Sequence, residues 1–212
     1  MSAENSRVAL VREAIRLHHR YQSELIERFS VCPWAKSARV EGRTRAHVVL
    51  ESEVDPGSLS PLVDAWAEDG QAEVGFIIAP RFDGDHAAFT ELAQAVGALR
   101  ADVFLSAAFH PIAPAVGGTI HFLRQSPDPT VQLVRRSRLD AIRAEDPPHY
   151  TDIFQLSLRE LEDAAPLRTI AASVLVRNER LIEREGRGTL QAIIDDIRSD
   201  RDRTYAQLLR AW

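Results

Sequence analysis

The chain predicts an α/β fold: a single-domain sandwich with a small mixed sheet, flanking helices and a helical C-terminal region, an α+β arrangement being the alternative. Three observations carry this. Residues 73–79 (Glu-Val-Gly-Phe-Ile-Ile-Ala) form a continuous apolar run of strand length, the signature of a strand buried on both faces. Strand-like and helix-periodic segments alternate in the order β-α-β-α-β-β. Long helix-periodic stretches stand at both ends.

Residues 7–30 are expected to be helical, with Val11, Ile15, His18, Leu25 and Phe29 on one apolar face and Arg12, Arg16, Arg20 and Glu27 in solvent. Residues 45–51 follow as a strand. Pro56-Gly57 breaks the chain, and Ser58 or Ser60 is expected to cap a helix through Trp66. The central strand ends at Pro80. Asp85 is placed to cap the next helix, whose apolar face carries Phe89, Leu92, Ala93, Val96 and Leu99. Val103 to Phe109 is a third strand, stopped by Pro111. An irregular stretch, Ile112 to Gly118, precedes a short strand over Thr119 to Leu123. Ser126-Pro127-Asp128-Pro129 is a rigid turn, because each proline fixes its own φ and restricts the residue before it. Thr130 to Val134 is another strand. Helix is expected from Ser137 to Pro147-Pro148, and again after Pro166, with a break at Gly186-Arg187-Gly188. The 212 residues are expected to form one domain, with an N-terminal helix (1–30), an α/β core (31–165) and C-terminal helices packed on it (166–212).

The net charge of −5 argues against a nucleic-acid binder, which is usually basic. Lys36 is the only lysine. No apolar run approaches the roughly 20 residues that span a bilayer, so no membrane partner is expected. A single cysteine and no export signal suggest a reducing cytoplasm. The seven histidines show no metal-ligand spacing, so no metal site is expected.

That cysteine, Cys32, precedes a proline in Val31-Cys32-Pro33-Trp34-Ala35. Proline favours the first position of a helix, so Cys32 would be an N-cap residue facing free backbone N–H groups. Such a setting favours thiolate. The competing reading is a small buried apolar residue.

Several motifs recur in order: Cys32-Pro33-Trp34-Ala35, Ile78-Ala79-Pro80, Phe109-His110-Pro111, Arg124-Gln125-Ser126-Pro127-Asp128-Pro129-Thr130 with Leu133-Val134-Arg135, and Arg177-Asn178. From about Val31 to Gly186 the chain resembles a bacterial family classed only as a domain of unknown function. That family's pattern runs Cys-Pro-Phe-Ala, a strand ending in Pro, Phe-His-Pro, Arg-Ser-Pro-Tyr-Pro-Thr, and Arg-Asn before a glycine break. Here Trp34 replaces the usual Phe, Gln125 is an extra residue, and Asp128 stands where Tyr is typical, marking a divergent member. The resemblance implies no established activity.

The residues suggest a small-molecule enzyme. Cys32 would be its nucleophile and His110, at a strand end, its acid/base partner. Arg81, Arg124 and Arg135, with Trp34, Ser126, Thr130 and Asn178, would bind a small anionic substrate, since arginine's planar fork suits carboxylate or phosphate. Asn178 alternatively fixes helix packing, and His18 is read as a core histidine that needs one hydrogen-bond partner. His86 and His149 are read as exposed. No cofactor is required. The runner-up is a haem protein with Cys32, or else His110, on the iron. A third reading is a non-catalytic binding or assembly module, with a homodimer through the C-terminal helices.

Overall fold

The computed structural model describes residues 3–32, 35–113, 122–138 and 170–211. Strand β2 (Val74–Ile78) is buried at all five positions, as a central strand should be. Strand β1 (Thr44–Val48) lies parallel to it, with Thr44 beside Val74 and Val48 beside Ile78. Strand β3 (Phe104–Phe109) does not pair with β2, because β4 (Thr130–Arg135) inserts antiparallel between them. The order is β1-β2-β4-β3, a mixed four-stranded sheet in an α/β fold. Consequently β1, β2 and β3 all run the same way and end at one edge, where β4 begins.

Helix α1 (Ala3–Tyr21) continues through a π-helical turn, Gln22–Glu27. The short α2 (Ala35–Val40) follows. These two cover one face of the sheet, with Ala14 and Ala38 against Val74, Phe76 and Ile78. Helices α3 (Ser60–Glu68) and α4 (His86–Leu99) cover the other face, where Val63, Trp66, Phe89 and Val96 meet Ile77, Phe104, Val131 and Leu133. Gly75 is required here: a Cβ would stand 2.5 Å from the Trp66 ring. Helices α5 (Ile170–Glu185) and α6 (Arg187–Leu208) pack on the outer side of α1 through Leu181, Leu190, Ile194 and Ile197. Gly186, at φ +81°, makes the break between them. Among the described residues, no helix is long and apolar enough to cross a membrane.

Four local expectations are corrected. Of the expected apolar face, His18 and Leu25 are buried, but Ile15 is 44% exposed, and Leu10, Ala14, Leu17 and Tyr21 complete the buried stripe. Both stripes satisfy a 3.6-residue period, and the one that is buried was selected by α6, which is remote in sequence. Arg16 and Arg20 are not simply solvated, because both donate to Asp200 of α6, at 2.8 and 2.7 Å, and hold its carboxyl below the usual carboxylate range. Likewise Glu27 accepts from Arg39 at 2.6 and 2.8 Å. The cap before α3 is Asp55, which accepts from the backbone N–H groups of Gly57 and Ser58 in a 3-10 turn, Pro56–Leu59. The last correction concerns the segment 119–123, whose described part, Phe122 and Leu123, is helical rather than strand. Asp85 caps α4 as expected, accepting from Ala88 N at 2.9 Å.

Candidate functional site

Ligands of open α/β sheets gather beyond the carboxyl ends of the strands. Here that edge carries the loops after Val48, Ile78 and Phe109 and the turn leading into Thr130. The loops are tied together by backbone bonds from Ala79 N to Pro129 O (2.9 Å) and from His110 N to Arg124 O (3.0 Å).

The proline turn is a structural clasp. Ser126 Oγ and Thr130 Oγ1 both donate to the Asp128 carbonyl, at 2.6 and 2.9 Å. Asp128 itself is 0% exposed, and its carboxylate accepts from Arg201 Nε and the Tyr205 hydroxyl of α6, each at 2.7 Å. Burial pushes the Asp128 carboxyl up, and Arg201 and Tyr205 pull against it. Arg198 adds bonds to Pro111 O (2.8 Å) and Gln125 Oε1 (3.1 Å). The crevice between this turn and α6, lined by Tyr21, Gln125, Ile194 and Arg198, holds no space for a water molecule. The Ser126 and Thr130 hydroxyls, expected to meet substrate, therefore hold the turn instead. The role of Asp128 had no signal in the sequence, because its partners lie over 70 residues away.

The expected arginine site does not assemble. Arg135 lies at the opposite end of β4 from Thr130. There it donates to the carbonyls of Trp66, Ala67, Asp69 and Ala72 and stacks on Phe104, closing the C-terminal end of α3. Arg81 donates to Leu50 O at 3.1 Å and so ties the β1 and β2 loops together.

Arg124 differs from both. Its guanidinium lies 5.6 Å from the centre of the Phe109 ring, and Tyr21 packs edge-on against that same ring. Burial pulls the guanidinium down from its ordinary value, with Tyr21 acting in the opposite sense. Among the described residues, no carboxylate and no carbonyl oxygen engages it.

Cys32 and His110 belong to opposite faces of the sheet, a correction to the expected nucleophile–base pair. Along β3, Phe104 and Ser106 face α4, and His110 continues that side, with its ring 5.8 Å from both Phe89 and His86. His86, expected to be exposed, is thus part of this packing. The His110 Nδ1 accepts from Ile112 N at 3.2 Å. Burial lowers its pKa and the charge of His86 adds to that, while the Gly84 carbonyl and Asp85 oppose them. Cys32 instead packs with Phe109 against the α1–α6 apolar cluster. Strand alternation turns the two motif neighbours, Phe109 and His110, away from each other. Cys32 is not in a disulfide, and its carbonyl accepts from Ala35 N at 3.3 Å at the start of α2. Pro33, Trp34, His149 and the 114–121 stretch lie outside the described residues.

Two other buried polar groups face the α1 side. His18 lies against Phe76 at 4.4 Å between ring centres, and among the described residues neither ring nitrogen has a hydrogen bond, where a single partner was expected. Burial, with a smaller contribution from His19, lowers its pKa to about 4. Asn178 is 4% exposed, and its Oδ1 has no donor among the described residues. It shares a helix face with Leu181 and Ile182, which pack into the same cluster as Phe122, Phe109 and Cys32. Among the described residues, no group of three or more metal-ligating side chains is present.

No family model, no curated protein and no solved structure matches the chain. The functional reading therefore rests on the geometry.

Proposed function

We propose that the chain is an enzyme of small anionic molecules, in which Arg124 anchors the anion and Cys32 supplies the reactive thiol. The observation that carries this reading is the half-buried Arg124 guanidinium over the Phe109 ring, which no carboxylate or carbonyl oxygen engages among the described residues. A guanidinium whose donors are not taken up within the protein is available to a bound anion. The other arginines of this edge, Arg198 and Arg201, have carbonyl or carboxylate partners. A carboxylate or phosphate from outside the chain would complete Arg124 with two parallel hydrogen bonds. Arg124 lies over the Phe109 ring, and Phe109 and Cys32 pack against the same apolar cluster. In this reading His110 fixes the loop after β3 from the other face and is not the base. The single cysteine is consistent with a reducing cytoplasm.

The test is the rate at which iodoacetamide alkylates Cys32, followed by intact mass. Phosphate or acetate is expected to slow alkylation several-fold in the native chain and to have no effect in Arg124→Ala. Alkylation indifferent to every anion would reject the shared site. Protection that persists in Arg124→Ala would place the anion elsewhere.

A further inference from the structure

Tyr21 touches the surroundings of Arg124 at both ends of that side chain. It is the last residue of α1 and is 1% exposed. Its hydroxyl donates to the carbonyl of Leu123, the residue before Arg124. Its ring packs edge-on against Phe109, with 6.4 Å between centres, and the Arg124 guanidinium lies over that same Phe109 ring. One side chain of α1 therefore fixes the backbone from which the arginine departs and braces the ring on which its guanidinium rests. The Arg124 carbonyl is held as well, accepting from His110 N and Ser126 N, each at 3.0 Å. Those two bonds act on the backbone, whereas Tyr21 acts on backbone and ring together. Burial raises the Tyr21 pKa above its ordinary value, with Arg124 acting in the opposite sense, so the hydroxyl stays a donor at neutral pH. An arginine side chain carries much rotamer freedom, and freedom removed before a ligand arrives is not lost again on binding.

We infer that Tyr21 is the positioning residue of the anion site: through Leu123 and Phe109 it holds Arg124 in the arrangement that receives a carboxylate or phosphate. This rests on the reading of Arg124 as an anion anchor, and it adds the residue that tunes the anchor's affinity.

Inorganic phosphate is the probe, and its dissociation constant is read from the rise in melting temperature with concentration. Tyr21→Phe keeps the ring and removes the hydroxyl. It is expected to weaken phosphate binding about tenfold, the effect of one well-made hydrogen bond. Arg135→Ala, at the far end of β4, is expected to lower the melting temperature and leave the phosphate constant unchanged. A constant in Tyr21→Phe equal to that of the native chain, whatever its melting temperature, would make Tyr21 a core residue only and overturn the inference. Coupling between two sites is reciprocal, so saturating phosphate should slow exchange of the Tyr21 hydroxyl proton in the native chain by the same factor of about ten. That measurement needs no variant to fold, and exchange indifferent to bound phosphate overturns the inference as well. The two readings fail separately. Phosphate that binds the native chain and is lost in Arg124→Gln leaves the anchor standing whatever Tyr21→Phe does. No phosphate binding to the native chain removes the anchor and the role of Tyr21 with it.

Discussion

Arg135 and Arg124 flank the same short stretch of chain, one at the end of β4 and the other before the turn that starts it, yet their surroundings are opposite. Arg135 donates to four backbone carbonyls and stacks on Phe104. Arg124 lies over Phe109 with no hydrogen-bond acceptor among the described residues. The same contrast separates the clasp around Asp128 from His18 and Asn178 on the α1 side. Where polar groups are fully matched, they hold the fold together. Where they are buried and unmatched, they cost stability, and their place in the structure calls for a reason other than stability.

The largest effect should come from breaking the clasp. Asp128→Ala leaves Arg201 and Tyr205 without their buried acceptor and is expected to cost about 3–5 kcal/mol in urea unfolding. A loss below about 1 kcal/mol would mean that the turn and α6 are held by apolar packing alone.

An unmatched group should show itself through pH. His18 has a pKa of about 4 in the folded chain, against about 6.5 when unfolded. Between these values the unfolded chain binds a proton that the folded chain refuses, so stability rises with pH across that window and falls on acidification. The loss from pH 6.5 to pH 4 is on the order of 3 kcal/mol at most. The measurement is urea midpoint against pH for the native chain and for His18→Leu. The variant should flatten the curve in this window; identical curves would assign the acid sensitivity to other groups.

The smallest effect sharpens the comparison most directly. Arg135→Ala should cost about 2 kcal/mol, because charged hydrogen bonds to carbonyls and a ring contact are lost together. Arg124→Ala should change stability by less than about 1 kcal/mol, since no hydrogen bond is broken. Equal losses for the two variants would erase the distinction between a structural arginine and one held ready for a ligand.

Much of the fold was legible in the residues because its signals are local. The apolar run at 73–79, the caps and breaks at Asp85, Pro80 and Gly186, and the periodicity of α4 each act over a few residues, and each led to the correct element. The order β-α-β-α-β-β was legible for the same reason. What could not be read is what depends on neighbours far along the chain. Whether Ile15 or Leu17 is buried on α1 was decided by α6. That β4 would separate β2 from β3 was decided by strand pairing, which has no local code. The site was less legible still. Residue types marked Cys32, His110 and the arginines as chemically capable, but a motif such as Phe109-His110-Pro111 does not say that consecutive side chains of a strand point to opposite faces of the sheet. It was the sheet that sent His110 toward α4 and Phe109 toward the apolar cluster on which Cys32 also packs, and the clasp that occupied Ser126 and Thr130. The sequence by itself determined which elements form and which reactive groups exist. The tertiary structure decided which polar groups find partners, because burial and hydrogen bonding are properties of spatial neighbours, and so left the His18 ring and Asn178 Oδ1 unmatched among the described residues.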